Sequence, residues 1–158
     1  MTDLLLIKLK SLYDVEQQLV KALPAMEACA TDKELKKAFK VNTKETKAQV
    51  KRLEQIFKLL GKKPSKLKVE AIRGLIEDTK WVMKNVNGPE AMDAALIASV
   101  AYIEHYEMAG YMSAIDWAEE MGLGDVAALL RETISEEIQA DEIFAAISEE
   151  RLNKKANG

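Results

Sequence analysis

The sequence predicts an all-α fold: an up-down bundle of four long helices, with an additional short helix crossing between two helical hairpins. Three observations carry this. Apolar residues recur at steps of three and four through most of the 158 residues, the spacing of one buried face of a helix. No stretch alternates with period two for long enough to form a strand. With 7 glycines and 3 prolines, the chain has too few turn formers for the many reversals of an all-β domain. The length suits one domain over 1–158.

Breakers set the elements in order. The first helix covers about 3–28 and stops at Ala30-Thr31-Asp32. There Thr31 followed by Glu34 forms a capping-box signature for the second helix, 32–60. Gly61, with Pro64 shortly beyond, stops that helix. The short crossover piece, 67–87, sets Val69, Ile72, Leu75, Ile76, Val82 and Met83 on one side. Gly88-Pro89 closes it and opens the fourth helix, 89–120, because proline suits a first helical position. Gly122 and Gly124 end that helix, and Asp125 is placed to cap the fifth, 125–152. Tyr13–Glu16 aligns with Ala101–Glu104, and Glu45–Gln49 with Glu137–Asp141, glutamate on glutamate, as in a duplicated hairpin.

Composition narrows the chemistry. One cysteine, Cys29, excludes an internal disulfide and a thiolate zinc cluster, and reads as a packing residue. One histidine, His105, excludes a His-rich metal site and argues against a Ser-His-Asp triad. At 6% aromatics, base-stacking platforms are not expected, and Trp81 and Trp117 read as core or interface anchors. The N-terminal segment lacks the basic and apolar regions of a signal peptide, and the uncharged run 94–103 is about half a membrane span. The expectation is a cytoplasmic protein with no membrane partner. Net charge is −3, yet residues 31–73 hold 14 Lys/Arg against 5 Asp/Glu, and 74–158 hold 6 against 17. This reads either as a dipolar surface, self-complementary in an oligomer, or as a basic half that takes an acidic ligand. Without an Arg-rich or Gly-rich motif, nucleic acid is not an expected partner.

The acidic residues are the informative ones. The first helix reads Leu5, Leu9, Leu12, Glu16, Leu19, Leu23, Met26 at heptad steps. The fourth reads Ile97, Val100, Glu104, Glu107, Tyr111, Ala114, and the fifth Leu130, Thr133, Glu137, Ala140, Phe144, Ile147. In the second, Leu35, Phe39, Asn42, Glu45, Ala48 or Gln49, and Leu53 trace one side. A single core glutamate would read as a register off by one. Five on four helices, each near its helix midpoint, point to one carboxylate layer. Desolvating an ionised carboxylate costs on the order of several kcal/mol, so the layer must take up protons or bind cations. No Lys or Arg lies on these stripes, which leaves divalent metal. An oxygen cage suits iron or manganese better than zinc. Tyr13, Tyr106 and Tyr111 are placed to donate hydrogen bonds behind the ligands. Asp141 and Gln49 are ligands or their hydrogen-bond partners. His105 points about 100° from Glu104 and reads as interhelical or partly exposed, beside the ligands.

The segments Leu12-Tyr-Asp-Val-Glu-Gln-Gln-Leu19, Glu45-Thr-Lys-Ala-Gln-Val-Lys-Arg-Leu-Glu54, Ile103-Glu-His-Tyr-Glu-Met-Ala-Gly-Tyr111 and Glu136-Glu-Ile-Gln-Ala-Asp-Glu142 resemble the YciF-like ferritin-like stress-protein family in order and spacing. The resemblance spans nearly the whole chain. It implies a ferritin-like bundle, a homodimer and a di-iron centre of two ions, with manganese or zinc as alternatives and dioxygen or peroxide as reactants. Glu16 and Glu104 would be terminal ligands, Glu45 and Glu137 bridging ones, and Glu107 a mobile carboxylate. In the wider di-iron pattern two helices carry Glu-x-x-His. Here the third-following positions are Ala48 and Ala140, so any site is nearly all oxygen. That keeps open a contrasting expectation: a non-catalytic helical dimer serving as a stress-response binding protein, with a vestigial or structural metal site.

Overall fold

Five helices build the protein in a computed structural model that describes residues 1–156, with side chains through 151. They are α1 (Thr2–Cys29), α2 (Lys33–Leu59), α3 (Glu70–Asn85), α4 (Pro89–Glu120) and α5 (Gly124–Ala156). The described residues contain no strand. α1 packs on α2, α2 on α5, α5 on α4 and α4 on α1, closing a four-helix square, while α3 lies across α4 and α1. Tight turns make α1/α2 and α4/α5 antiparallel. Thr31, just beyond α1, bonds to Asp93 at the start of α4, and Tyr111 bonds back to Glu16, so α1 and α4 are antiparallel too.

Leu5, Leu9, Leu12, Glu16, Leu19, Leu23 and Met26 are all buried, as the heptad steps of α1 require. The core they enter is not continuous. One apolar cluster joins Leu9, Leu12, Leu53, Phe57, Tyr111, Ala118 and Leu130. The other joins Leu19, Leu23, Leu35, Phe39, Val100, Ile103 and Phe144, with the Phe39 and Phe144 rings 4.9 Å apart. The glutamates of α1, α4 and α5 fall in chain position between the two clusters.

Three local expectations change. Asp32, not Thr31, caps α2: its Oδ1 accepts from the Glu34 and Leu35 N–H groups at 2.8 and 3.0 Å. Thr31 is occupied elsewhere, donating its N–H and hydroxyl to buried Asp93 at 2.7 and 2.6 Å. Arg151 balances the Asp93 charge at 3.1 Å. α5 begins at Gly124, so Asp125 lies in its first turn. The crossover helix starts at Glu70 instead of 67, because the preceding segment is held by α1. The Leu67 N–H donates to the Lys10 carbonyl at 3.1 Å and the Val69 N–H to Asp14 Oδ2 at 2.8 Å. Asp14, 4% exposed, also accepts from Gln18 and pairs with Lys66. Gly61 and Gly122 stop their helices as expected, whereas Gly124 opens α5 instead of ending α4. Gly61 (φ +65) donates to the Lys58 carbonyl and Lys62 to Phe57, the paired bonds that close a helix C-terminus.

Candidate metal centre

Leucines or other packed residues one turn either side fix each acidic side chain inward, because residues three and four apart share a helix face. Glu16 sits between Leu12 and Leu19, Glu104 and Glu107 between Val100 and Tyr111, Glu137 between Thr133 and Ala140. Their exposures are 0, 1, 2 and 1%. One carboxylate oxygen from each of Glu16, Glu107 and Glu137 lies within 4.8 Å of the other two. Three helices thus deliver carboxylates to one point.

Hydrogen bonds to the layer come from the surrounding helices. Tyr111 donates its hydroxyl to Glu16 Oε1 at 2.5 Å. Asn42 Nδ2 donates to Glu104 Oε1 at 3.1 Å. Gln49, 1% exposed, donates from Nε2 to Glu137 Oε1 at 2.5 Å and to Glu136 Oε2 at 3.0 Å. These bonds reach only three of the eight carboxylate oxygens of Glu16, Glu104, Glu107 and Glu137. Glu16 Oε2, Glu104 Oε2, Glu107 Oε1, Glu137 Oε2 and Gln49 Oε1 are buried without a hydrogen-bond partner. Orphaned buried oxygens each cost roughly 1–3 kcal/mol, so five in one layer mark a place built for something else.

Electrostatics agree. Burial, and then the charge of Glu137, holds Glu16 and Glu107 well above the usual carboxylate range. Burial pushes Glu104 up to about 11, helped by its hydrogen bond to Glu137 and that residue's charge. Tyr111 is raised by burial and by the neighbouring Glu16 carboxylate. The Glu107 carboxyl is within hydrogen-bonding reach of Glu16, and that of Glu104 within reach of Glu137. Arg52 does not neutralise the layer. Its guanidinium forks onto Glu136 at 2.8 and 2.9 Å, donates to Thr133 at 2.8 Å and pairs with Glu132 at 3.1 Å.

The second helix is where the sequence reading shifts. Its buried line is Leu35, Phe39, Asn42, Thr46, Gln49, Leu53 and Ile56. Glu45 is therefore one position off the seam and half-buried, and Ala48 is exposed. Thr46, not Glu45, occupies the step equivalent to Glu137, and Gln49 that of Ala140. Glu45 instead lines a cavity of about 360 Å³ between α2 and α5, beside Asn42, Ala140 and Phe144. Partial burial, with Glu136 and Glu137 nearby, raises its pKa.

The remaining candidates divide. Tyr111 reaches the layer. Tyr13 does not: its hydroxyl donates to Glu54 at 2.8 Å while its ring edge meets Phe57. Tyr106 is half-buried against the apolar cluster around Phe39 and Phe144. His105 is exposed, its Nδ1 2.8 Å from the Ala101 carbonyl and 3.6 Å from Asp141 Oδ1. Asp141 is thus engaged outside the cluster, though its charge still helps raise Glu104. Cys29 packs beside the lower cluster, Trp117 against the upper one, and Trp81 is 65% exposed. Sequence reasoning placed Asn42 on the seam but missed its bond to Glu104, and it missed Thr46 and the Glu136–Arg52 pair. A strict step of seven from Leu35 and Phe39 finds Asn42 and Thr46; nothing local signals the pair.

The model of one family, described as a domain of unknown function (DUF892), matches residues 1–157. The chain belongs to this family. Protein YciF of Escherichia coli (strain K12) is 34% identical over 155 residues, 98% of this chain and 93% of the relative. The crystal structure of the E. coli stress protein YciF superposes with a TM-score of 0.93 at 32% identity, covering 97% of each chain. YcfI from Rhodopseudomonas palustris gives 0.90 at 39% identity, covering 92% of each. This DUF892 chain is accordingly a YciF-like helical bundle. No helix among its described residues is long and apolar enough to cross a membrane.

Whether the layer fits a metal is decided by its own atoms. Every donor is oxygen, the orphaned oxygens come from α1, α2, α4 and α5, and among the described residues no ammonium or guanidinium bonds to them. Hard oxygen donors suit Fe(II) and Mn(II). The residues fit.

Proposed function

We propose that this protein is a ferritin-like stress protein that binds two divalent metal ions, iron by preference, in the carboxylate layer inside its bundle. The observation that carries the reading is the set of four orphaned carboxylate oxygens on Glu16, Glu104, Glu107 and Glu137. Those four residues would hold the metals, with Glu137 shared, since it clusters with Glu16 and Glu107 and also contacts Glu104. Bound iron would supply one-electron redox chemistry toward dioxygen or peroxide.

The chain's own groups do the rest. Glu104 and Glu107 hold protons in the metal-free layer and must release them as cations enter. Tyr111 fixes the Glu16 carboxylate by its hydroxyl. The apolar clusters on either side keep bulk water from the layer. Glu45, between the α2–α5 cavity and Asn42, offers a carboxylate on the way in. The protein acts in the cytoplasm as a homodimer, a state supported by exposed apolar side chains such as Trp81, Tyr102 and Met112.

Anaerobic Fe(II) titration with metal analysis tests the reading. Two equivalents bound by the native chain, and none by the Glu16→Ala/Glu137→Ala variant, is the expected result. A second reading rests on the proton-sharing pairs Glu107–Glu16 and Glu104–Glu137, which close the layer without metal. It makes the protein a non-catalytic helical dimer. No metal bound by the native chain, or metal bound without any oxidation rate above buffer in air, selects it.

A further inference from the structure

The α2 contribution to the layer is an amide where a carboxylate or imidazole would be expected, and its orientation is imposed from outside. Gln49 Nε2 lies between two carboxylates, Glu137 at 2.5 Å and Glu136 at 3.0 Å. Only the NH₂ end of an amide can face two acceptors. The other amide atom, Oε1, bonds to neither carboxylate, and it is buried with no partner on a side chain 1% exposed. Glu136 is itself immobilised, because the Arg52 fork takes both of its oxygens at 2.8 and 2.9 Å. Arg52 is held in turn by Thr133 and Glu132. The chain of contacts runs from the surface through Arg52, Glu136 and Gln49 to the metal layer.

We propose that Gln49 Oε1 is a neutral oxygen ligand of the centre, and that Arg52 is a positioning residue that sets this ligand through Glu136. The inference rests on the metal-binding reading above and extends it in two ways. It names the α2 ligand, which the buried register denies to Glu45 and Ala48. It also assigns the site a selectivity: an amide oxygen in place of imidazole keeps the donor set hard and disfavours zinc relative to manganese or iron.

The test is Mn(II) binding to the full chain, read by electron paramagnetic resonance of free Mn(II) with thermal melts as a folding check. Gln49→Leu should weaken Mn(II) binding at least tenfold. Arg52→Met should weaken it about tenfold, in the range for groups that orient a ligand. In the Gln49→Leu background, Arg52→Met should add nothing, because its effect passes through the amide. Gln49→His should place a nitrogen on the metal, visible as nitrogen coupling to Mn(II) in pulsed resonance, and shift preference toward Zn(II). Should the leucine variant fail to fold, Gln49→Asn keeps an amide but withdraws it by one methylene, and should show the same loss. Native affinity in either Gln49 variant, no nitrogen coupling in Gln49→His, or a full Arg52→Met effect without Gln49 would overturn the proposal. Absence of Mn(II) and Fe(II) binding by the native chain would instead overturn the metal reading on which it stands.

Discussion

Replacing Glu107 by methionine should stabilise the metal-free protein while abolishing its response to metal. Glu107 is 2% exposed, with Oε1 unpartnered and its other contact to Glu16. Removing the carboxyl relieves an unsatisfied buried acceptor worth about 1–3 kcal/mol. A flexible apolar side chain adds burial worth about 1.5–3 kcal/mol. Against this, Glu16 loses one hydrogen bond, about 1 kcal/mol, but keeps the Tyr111 donor at 2.5 Å. The net expectation is a gain of about 1.5–5 kcal/mol, the usual direction when buried polar groups are exchanged for packed apolar ones. For a chain of this size that raises Tm by roughly 3–20 °C. Chelated and dialysed protein, melted at pH 7, supplies the assay. With Mn(II) at about a hundred times its Kd, the native chain should gain roughly 3 kcal/mol and the variant none. A metal-free Glu107→Met protein destabilised by more than about 1 kcal/mol would refute the reasoning, because the carboxyl would then be earning its place structurally.

Two other predictions follow from the geometry. Glu16, Glu104 and Glu107 hold protons in the native state far above the range where the unfolded chain loses them. Their stabilisation is full below about pH 4.5 and is lost as pH rises toward the folded values, near 11 for Glu104. The folding constant of the metal-free protein should therefore contribute a tenfold fall per pH unit for each retained proton, measured by urea melts at pH 5.5, 6.5 and 7.5. A flat profile would contradict the protonated layer. Asp14→Ala should cost about 2–3 kcal/mol and speed amide exchange at Leu67 and Val69, since Asp14 receives the Val69 N–H and anchors the crossover on α1. Unchanged exchange there would show that the segment is held by other means.

Where the helix faces were carried by hydrophobic residues, the site could be read from the chain. α1 alternates leucines at steps of four and three around Glu16, leaving no other register for that glutamate, and Ile97, Val100 and Tyr111 do the same for Glu104 and Glu107. α2 lacks that discipline near its middle. Asn42, Thr46 and Gln49 are polar, so hydrophobicity cast no vote between Glu45 and Thr46, and matching glutamate to glutamate chose the wrong one. The true register appears only when Leu35 and Phe39 are extended at heptad steps to Leu53. Contacts distant in sequence were invisible for a different reason. Asp14 with Val69, Thr31 with Asp93 and Arg52 with Glu136 depend on which helices become neighbours. Tyr13 was legible as buried, but its partner, Glu54 on α2, was not.

Anomalous diffraction from crystals grown with Fe(II) under anaerobic conditions bears most directly on the central claim. Two iron peaks inside the bundle, within bonding distance of Glu16, Glu107, Glu137 and Glu104, are the predicted result. Diffraction that shows those four carboxylates closed on one another with no iron between them, or iron only at acids outside the layer such as half-buried Asp141, would contradict it.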